Sequence, residues 1–160
     1  MAAAEHMGCI YACGGRKGIG THPSGSTVML DPRTRAWATL PAMPTPVAAA
    51  QAAVVAGRMC VPGGYTLQSM QMEEEEDDAP IVQCYNLVAG RWDTSCAHME
   101  LDRSFHAVAA LHGEVWAVGG RDLDGFALFP VEVYNPRLNT WRSGVSLPHS
   151  WSGGACVVVQ

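Results

Sequence analysis

The apolar positions of this chain fall in short runs bounded by glycine or by Asp/Asn turns, and three of the runs line up without gaps. They are Gly8–Gly15 (GCIYACGG), Gly57–Gly64 (GRMCVPGG) and Gly113–Gly120 (GEVWAVGG). Each reads as a turn glycine, a short apolar strand and a glycine pair. The first glycine suits the positive φ of a tight hairpin, and the pair ends the strand where a side chain would crowd a neighbouring backbone. A second pattern follows in each copy: Thr27–Trp37 (TVMLDPRTRAW), Val82–Trp92 (VQCYNLVAGRW) and Val131–Trp141 (VEVYNPRLNTW). These predict a strand, an Asx turn and a further strand opened by tryptophan. Asp31-Pro32 and Asn135-Pro136 start turns because the Asx side chain caps the turn and proline presets φ, while Gly90 supplies a left-handed position in the middle copy.

The glycine pairs recur after 49 and 56 residues, and the tryptophans after 55 and 49. That period, with the glycine pair, an Asp/Asn turn (Tyr-Asn-Pro in the third copy) and the tryptophan in register three times, resembles the kelch repeat, whose copies are β-propeller blades. An unrelated β-sandwich would carry such glycines only by coincidence. The resemblance implies an all-β fold of four-stranded antiparallel blades, with strands a to d running outward from a central channel. Three blades are expected, about 2–46, 47–102 and 103–150, with the start of a fourth at about 151–160. Strand a is expected at Gln51–Ala56 and His106–Leu111, b at Met59–Pro62 and Val115–Val118, and c at Val82–Tyr85 and Val131–Tyr134. Strand d is expected to begin at Trp37, Trp92 and Trp141. Ala2–Met7 holds the place of strand a in the first copy but is a poor β sequence. Residues 154–160 (GACVVVQ) match strand a of a fourth copy. Propellers close with four to eight blades, so these three are not a ring by themselves.

Composition narrows the partner class. The net charge of −5 and pI near 5.6 offer no basic field for nucleic acid or an anionic membrane. No apolar stretch approaches the ~20 residues that cross a bilayer, and the opening residues lack the basic and apolar regions of a secretion signal. The six cysteines form no C-x-x-C pair and have no histidines at zinc spacing, so they read as reduced, mostly buried thiols in a cytoplasmic protein. No metal and no cofactor is expected. Phosphate-loop, dinucleotide and nucleophile-elbow motifs are missing, and Gly15–Gly20 (GRKGIG) lies between two strands with no helix to cradle a phosphate.

Candidate contacts sit on loops held by the scaffold. The connection from Cys96 to His106 resembles the element of BTB-kelch proteins in which a methionine is followed four residues on by a pocket arginine. Here that is Met99 and Arg103, with Met43/Val47 and Leu147/Trp151 at the matching places. By this resemblance Arg103, Ser104, Trp151 and Ser152 are ligand contacts. Arg103 serves equally as a structural arginine pairing with a neighbouring blade, and blade packing claims Trp151 as readily as a partner does. His106 is read as a structural histidine. In the b–c loops, Arg16, Tyr65, Arg121 and Asp122 flank the glycine pairs, and the resemblance implies that they face the same mouth. The middle loop is longer by about six residues, matching the acidic run at 73–78, which reads as a solvated insert.

The resemblance implies a non-catalytic protein-interaction module whose partner is another protein, with substrate recognition for a cullin-type ubiquitin ligase as its finer form. Unclosed blades add possible self-association. The alternatives are a piece of a kelch-like propeller enzyme, an oxidase or a sugar-processing enzyme, and a partial sequence with no independent function.

Overall fold

The computed structural model describes residues 1–18, 22–71 and 80–158. The acidic run at 73–78, Ile19 and Gly20 of the glycine-rich stretch, and the last two residues lie outside them. The chain forms three four-stranded antiparallel sheets, each in sequence order. The first holds β1 (Ala2–His6), β2 (Cys9–Cys13), β3 (Thr27–Asp31) and β4 (Ala36–Leu40). The second holds β5 (Ala53–Val55), β6 (Arg58–Pro62), β7 (Val82–Asn86) and β8 (Arg91–Asp93). The third holds β9 (Ala107–Leu111), β10 (Glu114–Val118), β11 (Val131–Asn135) and β12 (Thr140–Ser143). Every strand expected for the second and third copies is present, within a residue or two at each end.

Ala2–His6 is a strand despite its alanine-rich sequence. It pairs with β2 over its whole length, from Ala2 opposite Cys13 to His6 opposite Cys9. Ladder bonds and the burial of Ala2 against the core outweigh a weak propensity. The Asx turns form as read: Asp31 accepts from the Arg33 amide at 2.8 Å, and Asn135 accepts from the Arg137 amide at 3.0 Å. The middle b–c loop contains a short helix that the sequence reading left out, α1 (Leu67–Gln71). Thr66 and Ser69 cap it reciprocally: each side-chain oxygen accepts the other's backbone amide, at 3.1 and 2.9 Å.

Alternation along the strands sends one side chain in two toward each neighbouring sheet, so the core lies between blades. One cluster joins the first two sheets through Cys13, Met43, Val47, Met59, Val61 and Tyr85. The other joins the second and third through Val55, Cys60, Cys84, Met99, Val115 and Tyr134. Residues 151–158, expected as the start of a fourth blade, form no strand. Trp151 donates its amide to the carbonyl of Leu128, in the loop between β10 and β11, at 3.0 Å.

Candidate functional site

The site is built where each b–c loop meets the connection entering the next blade. The second glycine of each pair donates its amide to a carbonyl of that connection: Gly15 to Val47 at 2.8 Å, Gly64 to Arg103 at 2.9 Å and Gly120 to Trp151 at 2.7 Å. A Cβ on Gly14 or Gly119 would stand 2.7 Å from the same carbonyl oxygens, and both residues have positive φ. The glycine pair is therefore the seat of the next blade's entry.

One residue further on, the loops of the second and third blades bridge the entry of their own blade. Tyr65 and Ala48 exchange backbone bonds of 2.9 and 3.0 Å, and Arg121 and Ser104 exchange bonds of 2.8 and 2.9 Å. In the first blade Arg16 bridges Pro23 within its own loop. A further rung links successive entries: Phe105 donates to the Ala49 carbonyl and Gly153 to the Phe105 carbonyl, both at 2.8 Å. Ala49 and Phe105 hold φ values of 54° and 53° to make it.

This backbone frame carries two side-chain contacts between loops and entries. The Tyr65 ring lies against Phe105 with centroids 6.2 Å apart. Arg121 Nε donates to Ser152 Oγ at 3.0 Å. Ser104 and Ser152 are half-buried, and Trp151, Arg121 and Arg16 are exposed. Asp122 is spent on its own loop, where its carboxylate accepts the Phe126 amide at 2.8 Å. Phe105 was missed as a contact, although it stands beside Ser104 in the same connection; its stack on Tyr65 crosses 40 positions and has no local signature.

Arg103 is corrected by the structure. Its side chain has no exposed surface and ion-pairs Glu132, while NH1 donates to the carbonyls of Gly119 at 2.9 Å and Pro130 at 3.1 Å. A buried guanidinium with these partners is a bracket inside the third blade, and it holds the mouth rather than lining it. Glu132 also accepts the Glu100 amide at 2.6 Å, so the pair ties β11 to the connection. His106 is structural, as expected. It is fully buried, and desolvation, helped by the nearby Arg103 charge, lowers its pKa to about 3. The carbonyls of Pro62 and Arg103 favour the cation but do not offset burial.

Four-stranded sheets packed face to face, with glycine-seated entries between them, define a run of β-propeller blades. The Kelch motif model matches residues 1–44 and 102–148, and the chain belongs to the kelch-repeat family. Kelch-like protein 33 of Homo sapiens is 30% identical over 80% of this chain and 23% of its own length. Kelch repeat and BTB domain-containing protein 12 of Danio rerio is 29% identical over 70% of this chain and 19% of its own. The chain thus spans less than a quarter of these relatives. Among solved structures, YjhT superposes with a TM-score of 0.75 at 16% identity, over 95% of this chain and 53% of that one, which shows a shared fold. No helix among the described residues is long and apolar enough to cross a membrane.

Proposed function

We propose that the chain is a non-catalytic protein-interaction module that holds a segment of another protein at the loop mouth. The observation that carries this reading is two side-chain contacts on one backbone frame, Tyr65 against Phe105 and Arg121 on Ser152, joined by the bond from the Gly153 amide to the Phe105 carbonyl. An aromatic pair beside an arginine, both on a fixed backbone frame, has the makeup of an interaction hot spot. Trp151, Ser104 and Arg16 extend the contact surface, and Asp122 shapes the loop that presents Arg121. The kelch-like names of the relatives support a protein partner. The BTB domain in the name of one relative supports the finer reading, substrate recognition for a ubiquitin ligase. Six free cysteines fit a cytoplasmic setting.

A peptide array probed with the whole chain, followed by titration of the hits, tests this. Tyr65→Ala and Arg121→Ala are each expected to weaken the selected peptides about tenfold or more. Hits that bind both variants as tightly as the parent chain would sink the reading. Stoichiometric copper with redox activity in the purified protein would replace it with the oxidase alternative.

A further inference from the structure

Strands β6 and β7 place Cys60 directly opposite Cys84, and the Cys84 thiol donates to the Cys60 sulfur with 2.7 Å between the two. Directly paired antiparallel residues stand about 4.5–5.5 Å apart at Cα, within the span of a disulfide. Cys96, in the connection after β8, packs into the same apolar cluster between the second and third sheets. Among the described residues no three donors converge as a metal site requires.

We propose that Cys60 and Cys84 form a thiol-oxidation site, which a small peroxide converts into a cross-strand disulfide joining strands b and c of the second blade. In the first step one thiol sulfur attacks a peroxide oxygen. The O–O bond breaks, the sulfur becomes a sulfenic acid and hydrogen peroxide releases one water. In the second step the other sulfur attacks the sulfenic sulfur, the S–S bond forms, the S–O bond breaks and a second water leaves with the remaining thiol proton. Two thiols are oxidised and one peroxide is reduced to two waters.

The setting decides rate and partner. Cys60 and Cys84 are 1% and 0% exposed, so bulky disulfide oxidants are excluded while a peroxide the size of two waters enters when the sheet breathes. The hydrogen bond to Cys60 pushes the Cys84 thiol up, and the bond to Cys84 pushes Cys96 up, so thiolate is scarce and the reaction is slow. Register favours Cys60 over Cys96 as the partner of Cys84, because two ladder residues need no backbone movement to join. The bond closes the chain across 24 positions, a span that includes the acidic run at 73–78. It staples the base of the longest b–c loop.

The test is to treat the whole chain with hydrogen peroxide, alkylate the remaining thiols in denaturant and map the peptides. The expected result is loss of two alkylatable thiols, a linked Cys60–Cys84 peptide, and a thermal midpoint raised by about 5 °C or more and restored by dithiothreitol. The same linked peptide is expected from Cys96→Ala and none from Cys60→Ala. A Cys84–Cys96 link, links between chains, sulfinic or sulfonic acids at these positions without a link, six thiols still open to alkylation, or a link without a rise in the midpoint each overturns the proposal. The map of the unmutated chain decides even where Cys60→Ala does not fold.

Discussion

Arg103 and Val47 hold equivalent places: each carbonyl takes the amide of a second glycine, and each side chain is buried. Their partners differ in step. Glu132 faces Arg103, whereas the equivalent of Glu132 beside Val47 is Gln83, which receives the Thr45 amide and donates to the Thr45 carbonyl, both at 2.9 Å. Gln83 and Glu132 thus do one job, clasping the entering connection, and Glu132 alone carries a charge for Arg103 to neutralise. Glu132→Gln keeps the clasp and strands a buried guanidinium, so it is expected to cost about 3–5 kcal/mol. Adding Arg103→Val transplants the second blade's solution and should recover most of that loss. Urea unfolding of the two single variants and the double reads the coupling; additive losses would show that the pair is not the linked unit described. Substitution at the seat itself is harsher. Gly119→Ala forces a Cβ toward the Trp151 carbonyl at positive φ, with an expected loss of about 2–5 kcal/mol by the same measurement.

At the scale of the strand, the tryptophans act between blades. Trp92 donates from its indole to the Pro41 carbonyl at 2.9 Å, and Trp141 to the Ala97 carbonyl at 2.8 Å. Pro41 directly follows β4 and Ala97 lies four residues past β8, so each indole reaches the connection leaving the preceding sheet while its ring lies against Tyr85 or Tyr134. Trp37 has the same place in β4, and in this structure it is 59% exposed. Replacing Trp92 or Trp141 by phenylalanine keeps most of the ring contact and removes the bond, for an expected loss of about 1 kcal/mol. Trp37→Phe is expected to change the denaturation midpoint by less than half as much. Equal losses at all three positions would locate the tryptophan's work inside its own blade. This also marks what could be read in advance. Tryptophan spacing, glycine pairs and Asx turns are local or periodic features, and they placed the strands, while the strand order followed from the kelch resemblance. Partners such as Glu132 for Arg103, or Phe105 for Tyr65, are set by packing across blades and leave no mark at fixed spacing. The helix at Leu67–Gln71 escaped for a related reason: its Thr66/Ser69 cap is a weak signal in a loop with no apolar period.

For the molecule as a whole, stability rests on the two blade junctions, and the second is built around a titratable group. His106 lies between two glycine pairs, that of the second blade and that of the third: a Cβ on Gly63 would stand 3.0 Å from its ring, and one on Gly120 would stand 2.7 Å from its own Cβ. Its pKa is about 3 in the folded chain and 6.5 in the reference state, so between these values the unfolded chain binds the extra proton. The stabilisation due to a neutral His106 is complete above pH 6.5. It declines as pH falls, by up to about 1.4 kcal/mol per unit once well below that value. Carboxylates add to acid lability lower down: Asp93, held below the ordinary range by hydrogen bonds from Ser95, loses its contribution only as pH drops through the carboxylate region. The two effects separate by variant. His106→Leu removes the proton site from a wholly buried position, and its unfolding free energy is expected to be flat from pH 7.5 to 5.5 where that of the parent chain falls. Chemical denaturation at intervals across that range gives both slopes. A parent chain as stable at pH 5.5 as at pH 7.5 would mean that His106 takes up its proton without opening the junction, and that the second and third blades are less tightly closed around it than their packing indicates.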